Sequence, residues 1–250
     1  MGKMKIFFDD FTFHARVMPI MVLLTPLIII GIVNGVMMDN WFENTVVVFV
    51  GLVFLTVTSK VARNLGKKFE KKMYVKLGGM PTTIVLRFSD NTFDAITKKR
   101  YHKKLNQFKG INLPQEKSSE TDADDEQYTS AVNILRNYAN SNRDKEPRVY
   151  QELKEYNSWR NLYGSKNIVL FLYIIVVIRE IIIMGTIDLK QAFLHPYPDY
   201  ITLIIMIFCI SFVFFFINQK TVIQKGFDYA KALIEVCERI PTDDCNESRV

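Results

Sequence analysis

The chain has 250 residues, 49% of them hydrophobic by type, with 19 Phe against 11 Gly and a formal net charge of +6 at pH 7. In a soluble fold apolar residues alternate with polar ones along helices and strands, but here they gather into four runs that barely alternate. That pattern excludes an ordinary cytosolic enzyme domain.

The first run, Val17 to Met38, carries no charge in 22 residues. At 1.5 Å per residue it can cross a hydrocarbon layer of roughly 30 Å. Pro19 falls in its first turn, where a missing N–H costs little, and Pro26 predicts a kink. Gly31-Ile-Val-Asn-Gly35 is a GxxxG: Gly31 and Gly35 permit close helix packing, and Asn34 can make an interhelical hydrogen bond within one subunit or between copies. No small-residue cleavage site follows a short apolar core, so the run reads as a retained anchor. Asp9, Asp10 and His14 stand at its entrance and read as surface residues rather than a metal site. The second run, 45–59, is shorter, but Trp41 and Phe42 precede it as interfacial anchors and Lys60 can snorkel.

Residues 60–167 form the expected cytoplasmic domain. Val61, Leu65, Phe69 and Met73 recur every four residues, predicting an amphipathic continuation of the second span that Gly78-Gly79 ends. Pro81 to Phe88 is β-branched and reads as extended. From Asp94 the pattern is helical, with Tyr101 and Leu105 set among Lys98, Lys99, Arg100, His102, Lys103 and Lys104. Residues 60–110 hold 14 basic and 3 acidic side chains. Those next to the membrane read as topology and lipid contact, each contributing about 1 kcal/mol near an anionic leaflet. The cluster from Lys98 to Lys104, with Arg87, is the candidate phosphate, nucleotide or oligonucleotide site, where Tyr101 and His102 could stack on a base; a solvated helix face is the plainer reading. Residues 112–126 read as a polar, mobile loop without apolar anchors. Tyr128, Ala131, Val132, Leu135, Tyr138 and Ala139 then predict a helix with one buried face. Pro147 opens another, whose stripe Tyr150, Leu153 and Tyr156 leads to Trp159 and a junction that Gly164 could interrupt.

The third run, 168–187, carries Arg179 and Glu180 near its middle, where insertion costs about 2.5–3.5 kcal/mol for each such side chain. Adjacent helical positions diverge by about 100°, so the two cannot face one partner alike. They suit an ion path, a subunit contact or a static internal pair. The fourth run, 200–218, follows His195-Pro196-Tyr197-Pro198. Beyond it Ile223, Phe227, Ala230, Ile234 and Cys237 predict a final amphipathic helix closed by Pro241. Residues 39–44 and 188–199 are nearly free of Lys and Arg, so the positive-inside rule puts both turns outside and both termini in the cytoplasm. The expected fold is an all-α membrane protein. Its domains are a first hairpin at 1–59, the helical insert at 60–167, a second hairpin at 168–218 and a C-terminal helix and tail at 219–250. Cys209, Cys237 and Cys245 have neither disulfide nor metal spacing, as suits a reducing side. No HExxH, paired CxxC or P-loop is present, so no catalytic residue, metal site or cofactor is expected.

Gly78-Gly79-Met-Pro-Thr-Thr83 with Leu86-Arg87, then Thr97 to His102, then Trp159-Arg-Asn-Leu-Tyr-Gly164, resembles a family of small bacterial membrane proteins. The plan of hairpin, helical insert and hairpin is similar to four-span effectors of anti-phage systems, including SLATT-type effectors and the Hailong channel effector. That architectural resemblance implies a ligand-controlled oligomeric pore that depolarises the inner membrane. The expected function is therefore a homo-oligomeric, channel-like effector in the bilayer, gated through its cytoplasmic domain by a nucleotide or a protein. The alternative is a membrane-anchored adaptor that recruits a cytosolic partner protein. An interfacial lipid enzyme ranks last.

Overall fold

A computed structural model describes residues 10–33, 41–119, 124–186 and 198–241. Every regular element among them is helical. A short turn Asp10–Thr12 and a π-helical stretch Phe13–Val17 lead into α1 (Met18–Val33). There follow α2 (Trp41–Leu77), α3 (Pro81–Ile84), α4 (Ala95–Leu105), α5 (Asp125–Ser141), α6 (Pro147–Thr186), α7 (Pro198–Phe216) and α8 (Gln219–Ile234), which ends in a 3-10 turn, Glu235–Glu238. The chain divides into two compact units, Met1–Glu70 with Asn157–Thr221 and Lys71–Tyr156 with Val222–Val250. Helices α2 and α6 contribute residues to both.

In the first unit, Leu23, Val169, Tyr173, Met206, Val213 and Ile217 form one buried cluster. Ile20, Leu24 and Ala62 form a second. Helices α2 and α6 meet backbone to backbone: a Cβ on Gly164 would lie 2.3 Å from the Gly66 nitrogen. The sequence reading allowed an interruption at Gly164; instead the helix runs through it and the glycine makes room for the crossing. Of the expected α2 stripe, Met73 is buried, Leu65 and Phe69 are partly buried and Val61 is exposed, its place taken by Ala62 and Gly66. At the far end of α7, Lys166 donates to the carbonyls of Phe214 (2.9 Å) and Ile217 (2.7 Å). It thereby satisfies acceptors that a helix terminus leaves open. Asn218 caps the next helix, accepting from the Thr221 N–H at 2.9 Å. One described stretch, Asp10–Ile28, is by itself long and apolar enough to cross a membrane (mean hydropathy 1.5); Tyr200–Phe216 and Gln219–Glu238, bent by 49°, pass the same test as a pair.

The second unit buries Leu86, Leu105, Leu113, Tyr128, Leu135 and Leu233. The predicted stripe of α5 is almost the observed one, with Tyr128, Ala131, Val132, Leu135 and Ala139 all buried. Gly78 (φ 74°) and Gly79 (φ 151°) close α2, and the Gly79 N–H reaches the Tyr74 carbonyl at 2.9 Å. Three expectations change here. Pro81 to Phe88 is not extended, because Met80 is an extended N-cap, Pro81 takes the first helical position and the Ile84 N–H bonds the Met80 carbonyl at 2.9 Å. The segment after α4 has an apolar anchor: Leu113 is buried, and the Asn106 side chain clamps its N–H (2.6 Å) and carbonyl (2.9 Å). In α8 and the turn after it Ala230, Ile234 and Cys237 are buried as expected, but Ile223 and Phe227 lie only partly buried and Val222, Gly226, Tyr229 and Leu233 are buried instead. Gly226 makes close packing possible there, since a Cβ would meet Pro81 and the Tyr156 ring, each at 3.3 Å.

Candidate functional site

The outer face of the first unit is apolar. Phe171, Ile178 and Ile182 of α6 and Ile204, Phe208 and Phe215 of α7 are all more than half exposed. Soluble monomers rarely present contiguous apolar patches beyond a few hundred Å². A set of polar residues of this unit goes inward: Ser59, Arg160, Asn161, Ser165, Glu180 and Thr202 are buried.

The inward polar groups answer specific backbone needs. Ala15 lies in the π-helical stretch just before Pro19, which brings no N–H to the carbonyls of the preceding turn. Asn161 supplies a donor, its Nδ2 lying 2.7 Å from the Ala15 carbonyl. Further along α1, Tyr173 donates its hydroxyl to the Leu23 carbonyl. One residue before it is Val22, whose carbonyl loses its usual partner to Pro26. Arg160 forms a buried ion pair with Glu70, at 3.1 and 3.2 Å to the two oxygens. Arg160 and Asn161 carried no role in the sequence reading. For Asn161 the signal is Pro19, whose missing N–H calls for a donor from another element; nothing in the sequence marks Arg160 for Glu70.

Arg179 and Glu180 split as adjacent helical positions must. The Glu180 side chain is 1% exposed and that of Arg179 is 55% exposed, with the guanidinium hydrogen-bonded to Glu180 Oε1. The second carboxylate oxygen of Glu180 is buried and has no hydrogen-bond partner. Arg179 thus stands in the same outward stripe as Ile175, Ile178 and Ile182. Gly31 has helical backbone in α1, while Asn34 and Gly35 lie outside the described residues.

The basic cluster of α4 divides into two faces. Lys98 and His102, one turn apart, point inward and are 1% and 0% exposed. Lys98 Nζ donates to the carbonyls of Arg87 (2.6 Å) and Asp90, and His102 places Nε2 2.9 Å from the Leu86 carbonyl and Nδ1 2.6 Å from that of Pro114. Both histidine contacts are hydrogen bonds only when each ring nitrogen carries a proton. The pair thus holds the irregular segment after α3, whose carbonyls have no helical partners. Neither residue is presented to a ligand, contrary to the sequence expectation. Arg87 is also engaged: it forms a two-pronged pair with Asp125 (3.0 and 2.6 Å) and donates to the Gly78 carbonyl at 2.8 Å. Its fork ties the close of α2 to the acidic first turn of α5.

Lys99, Arg100 and Lys103 are exposed and Lys104 is partly so. Glu238 draws on this face, accepting from Arg100 at 2.7 Å and from the Tyr101 hydroxyl at 2.9 Å, while Lys104 reaches the Glu238 carbonyl at 3.3 Å. Burial, then the bond to Glu238, pushes the Tyr101 hydroxyl well above its ordinary range. Burial likewise pushes the Cys237 thiol up to about 12, which keeps it unreactive. Lys99 lies 3.9 Å from Glu116. Near the entrance to α1, His14 pairs with Asp10 at 2.9 Å, and among the described residues no group of three His, Cys, Asp or Glu could hold a metal ion.

No family model, no curated protein and no solved structure matches this chain.

Proposed function

We propose that the chain is a multi-pass membrane protein whose copies assemble into a channel-like effector, controlled through its second unit by a nucleotide or a protein signal. The observation that carries this reading is the first unit's outward apolar face on α6 and α7, with a charged pair set into it. Burying such a face in hydrocarbon gains roughly 25 cal/mol for each Å² removed from water. On this reading 17–38, 45–59, 168–187 and 200–218 all cross the inner membrane, with both termini in the cytoplasm. Four helices from one chain leave little room for water between them, so the path belongs to an oligomer. A role in anti-phage defence rests on the architectural resemblance alone.

Coupling has a physical route. Helices α2 and α6 each carry an apolar run and a polar segment without a break. A phosphate-bearing ligand would compete with Glu238 for Arg100 and Lys104. To move the closed form from 99:1 to 1:99 it must bind the open form about 5.5 kcal/mol more tightly.

The test is ion flux from the purified full-length protein in liposomes, recorded with a panel of mono-, cyclic and oligonucleotides. Flux together with an oligomer in detergent is expected. Liposomes silent under every condition, from a folded protein that still captures a cytosolic partner after Arg179 and Glu180 are neutralised, would instead make it an adaptor.

A further inference from the structure

On the channel reading, the run 168–187 carries a charge asymmetry at mid-depth. Arg179 lies eleven residues beyond Ile168, the first residue of the run. At 1.5 Å per residue that is about 16 Å, half of a hydrocarbon layer of roughly 30 Å. From there neither side chain of the pair can snorkel to an interface. The acid is withdrawn into the protein, 1% exposed, while the base is 55% exposed on the outward face. One contact joins them, from a guanidinium nitrogen to Glu180 Oε1, whereas a guanidinium carries five N–H donors. What the single chain presents to its surroundings at this depth is therefore a positive group.

Lipid is a poor neighbour for that group, since insertion scales set its cost at about 2.5–3.5 kcal/mol. Water in a path between copies removes the cost; on this arrangement the α6 stripe that carries Arg179 turns toward the path, and the exposed residues of α7, Ile204, Phe208 and Phe215, are those left to hydrocarbon. We propose that Arg179 lines that path and makes it anion-selective, one guanidinium from each copy forming a positive ring that admits small anions such as chloride and repels potassium. Glu180 stays off the water-facing surface, so its carboxylate offsets part of the guanidinium charge without adding an acidic ring of its own. Rings of Arg or Lys select anions by the same electrostatics that make acidic rings select cations. The inference rests on the channel reading above and names the ion that the channel passes.

The experiment uses the full-length protein in planar bilayers under a tenfold KCl gradient at low ionic strength, where screening is weakest. The reversal potential should lie near that of chloride, with a permeability preference over potassium of roughly tenfold. Replacing chloride by gluconate should abolish most of the current, and replacing potassium by choline should not. Arg179→Gln should bring the preference to about one, Arg179→Lys should keep it, and Glu180→Gln should keep or raise it. A wild-type reversal potential near that of potassium overturns the inference and leaves the channel standing. So does an unchanged preference in Arg179→Gln, or its loss in Glu180→Gln, because either result takes the guanidinium out of selection. No current from wild type under any condition overturns the channel itself, and the selectivity with it.

Discussion

The two units are built on opposite plans from the same twenty side chains. In the second, apolar residues are inside: Tyr128, Leu135 and Leu233 are fully buried, and the large apolar side chains left most exposed, Val75 and Ile96, stand singly. In the first, Phe208 and Phe215 are each 70% exposed; the contrast lies in the exposed apolar side chains, since both units bury charged groups, Arg160 and Glu180 in the first and Lys98 and Glu146 in the second. Water is the solvent that selects the first plan against and the second plan for. A hydrocarbon solvent reverses the preference, because it withdraws the gain from burying apolar groups and penalises every polar group left outside. The contrast lies inside one chain, so the two halves control each other under identical conditions.

The largest test of the contrast is deletion of matched apolar bulk. Leu135→Ala opens a cavity in the second unit and should cost about 2–5 kcal/mol. Phe208→Ala removes a larger side chain from the outward face and should change stability in detergent by no more than about 0.5 kcal/mol. Thermal unfolding of the detergent-solubilised protein compares them directly. Equal losses at the two sites would mean that the first unit is an ordinary water-facing fold with an interface still to be found.

Next in size is the helix crossing in the first unit. Gly164→Val places two methyls where even a Cβ would lie 2.3 Å from the Gly66 nitrogen, a backbone atom that cannot turn aside. The expected cost is about 3 kcal/mol, read as lost yield of folded protein. Gly226→Ala in the second unit meets only a proline ring edge and a tyrosine ring edge at 3.3 Å, and should cost about 1 kcal/mol. If Gly164→Val costs no more than Gly226→Ala, small-residue contact is not what distinguishes the first unit.

These glycines also explain which parts of the fold were legible in the sequence. Where bulky residues face the core, periodicity reads correctly, as in α5, with Tyr128, Val132 and Leu135. Where backbones touch, as at Gly66 and Gly164, or where a ring packs on a glycine, as at Gly226, the contact carries almost no hydrophobic signal. That is where the expected stripes of α2 and α8 fail, at Val61 and at Ile223 and Phe227, while Met73, Ala230, Ile234 and Cys237 are buried as expected. Polar residues with structural duties were misread by the same logic. Lys98 and His102 look like ligand groups in a row of cations, yet each is engaged by carbonyls of the irregular segment after α3. Nothing local marks such a need, since it arises from a segment some ten residues away. Arg179 and Glu180 were legible because charge inside an apolar run is conspicuous. Their division into outward base and inward acid follows only once the helix is rotated into its packing.

The smallest expected effect sharpens the comparison on the side of the second unit, where water and pH reach the charged groups. Glu155 and Lys225 pair at 2.6 Å. The hydrogen bond from Lys225 holds the Glu155 carboxyl below its ordinary 4.5. That pair contributes stability above pH 4.5, lost as pH falls through the lower folded value, and being half exposed it is worth less than about 1 kcal/mol. Glu152, one turn earlier on the same helix, behaves oppositely. Burial, and then repulsion from Glu155, raises its carboxyl above 4.5, and its Oε2 has no hydrogen-bond partner. Below pH 4.5 it is protonated in both folded and unfolded chains and costs nothing. As pH rises above 4.5 the unfolded chain ionises first, so folding is penalised increasingly until the folded carboxyl ionises too. Glu152→Gln should therefore stabilise the second unit at pH 7 by up to about 1 kcal/mol, with the gain vanishing in acid. Glu155→Gln should destabilise it at pH 7 and converge on wild type in acid. Unfolding midpoints between pH 4 and 8 separate the two, and a Glu152→Gln that lowers the midpoint at pH 7 would show that its carboxylate is solvated rather than buried against Glu155.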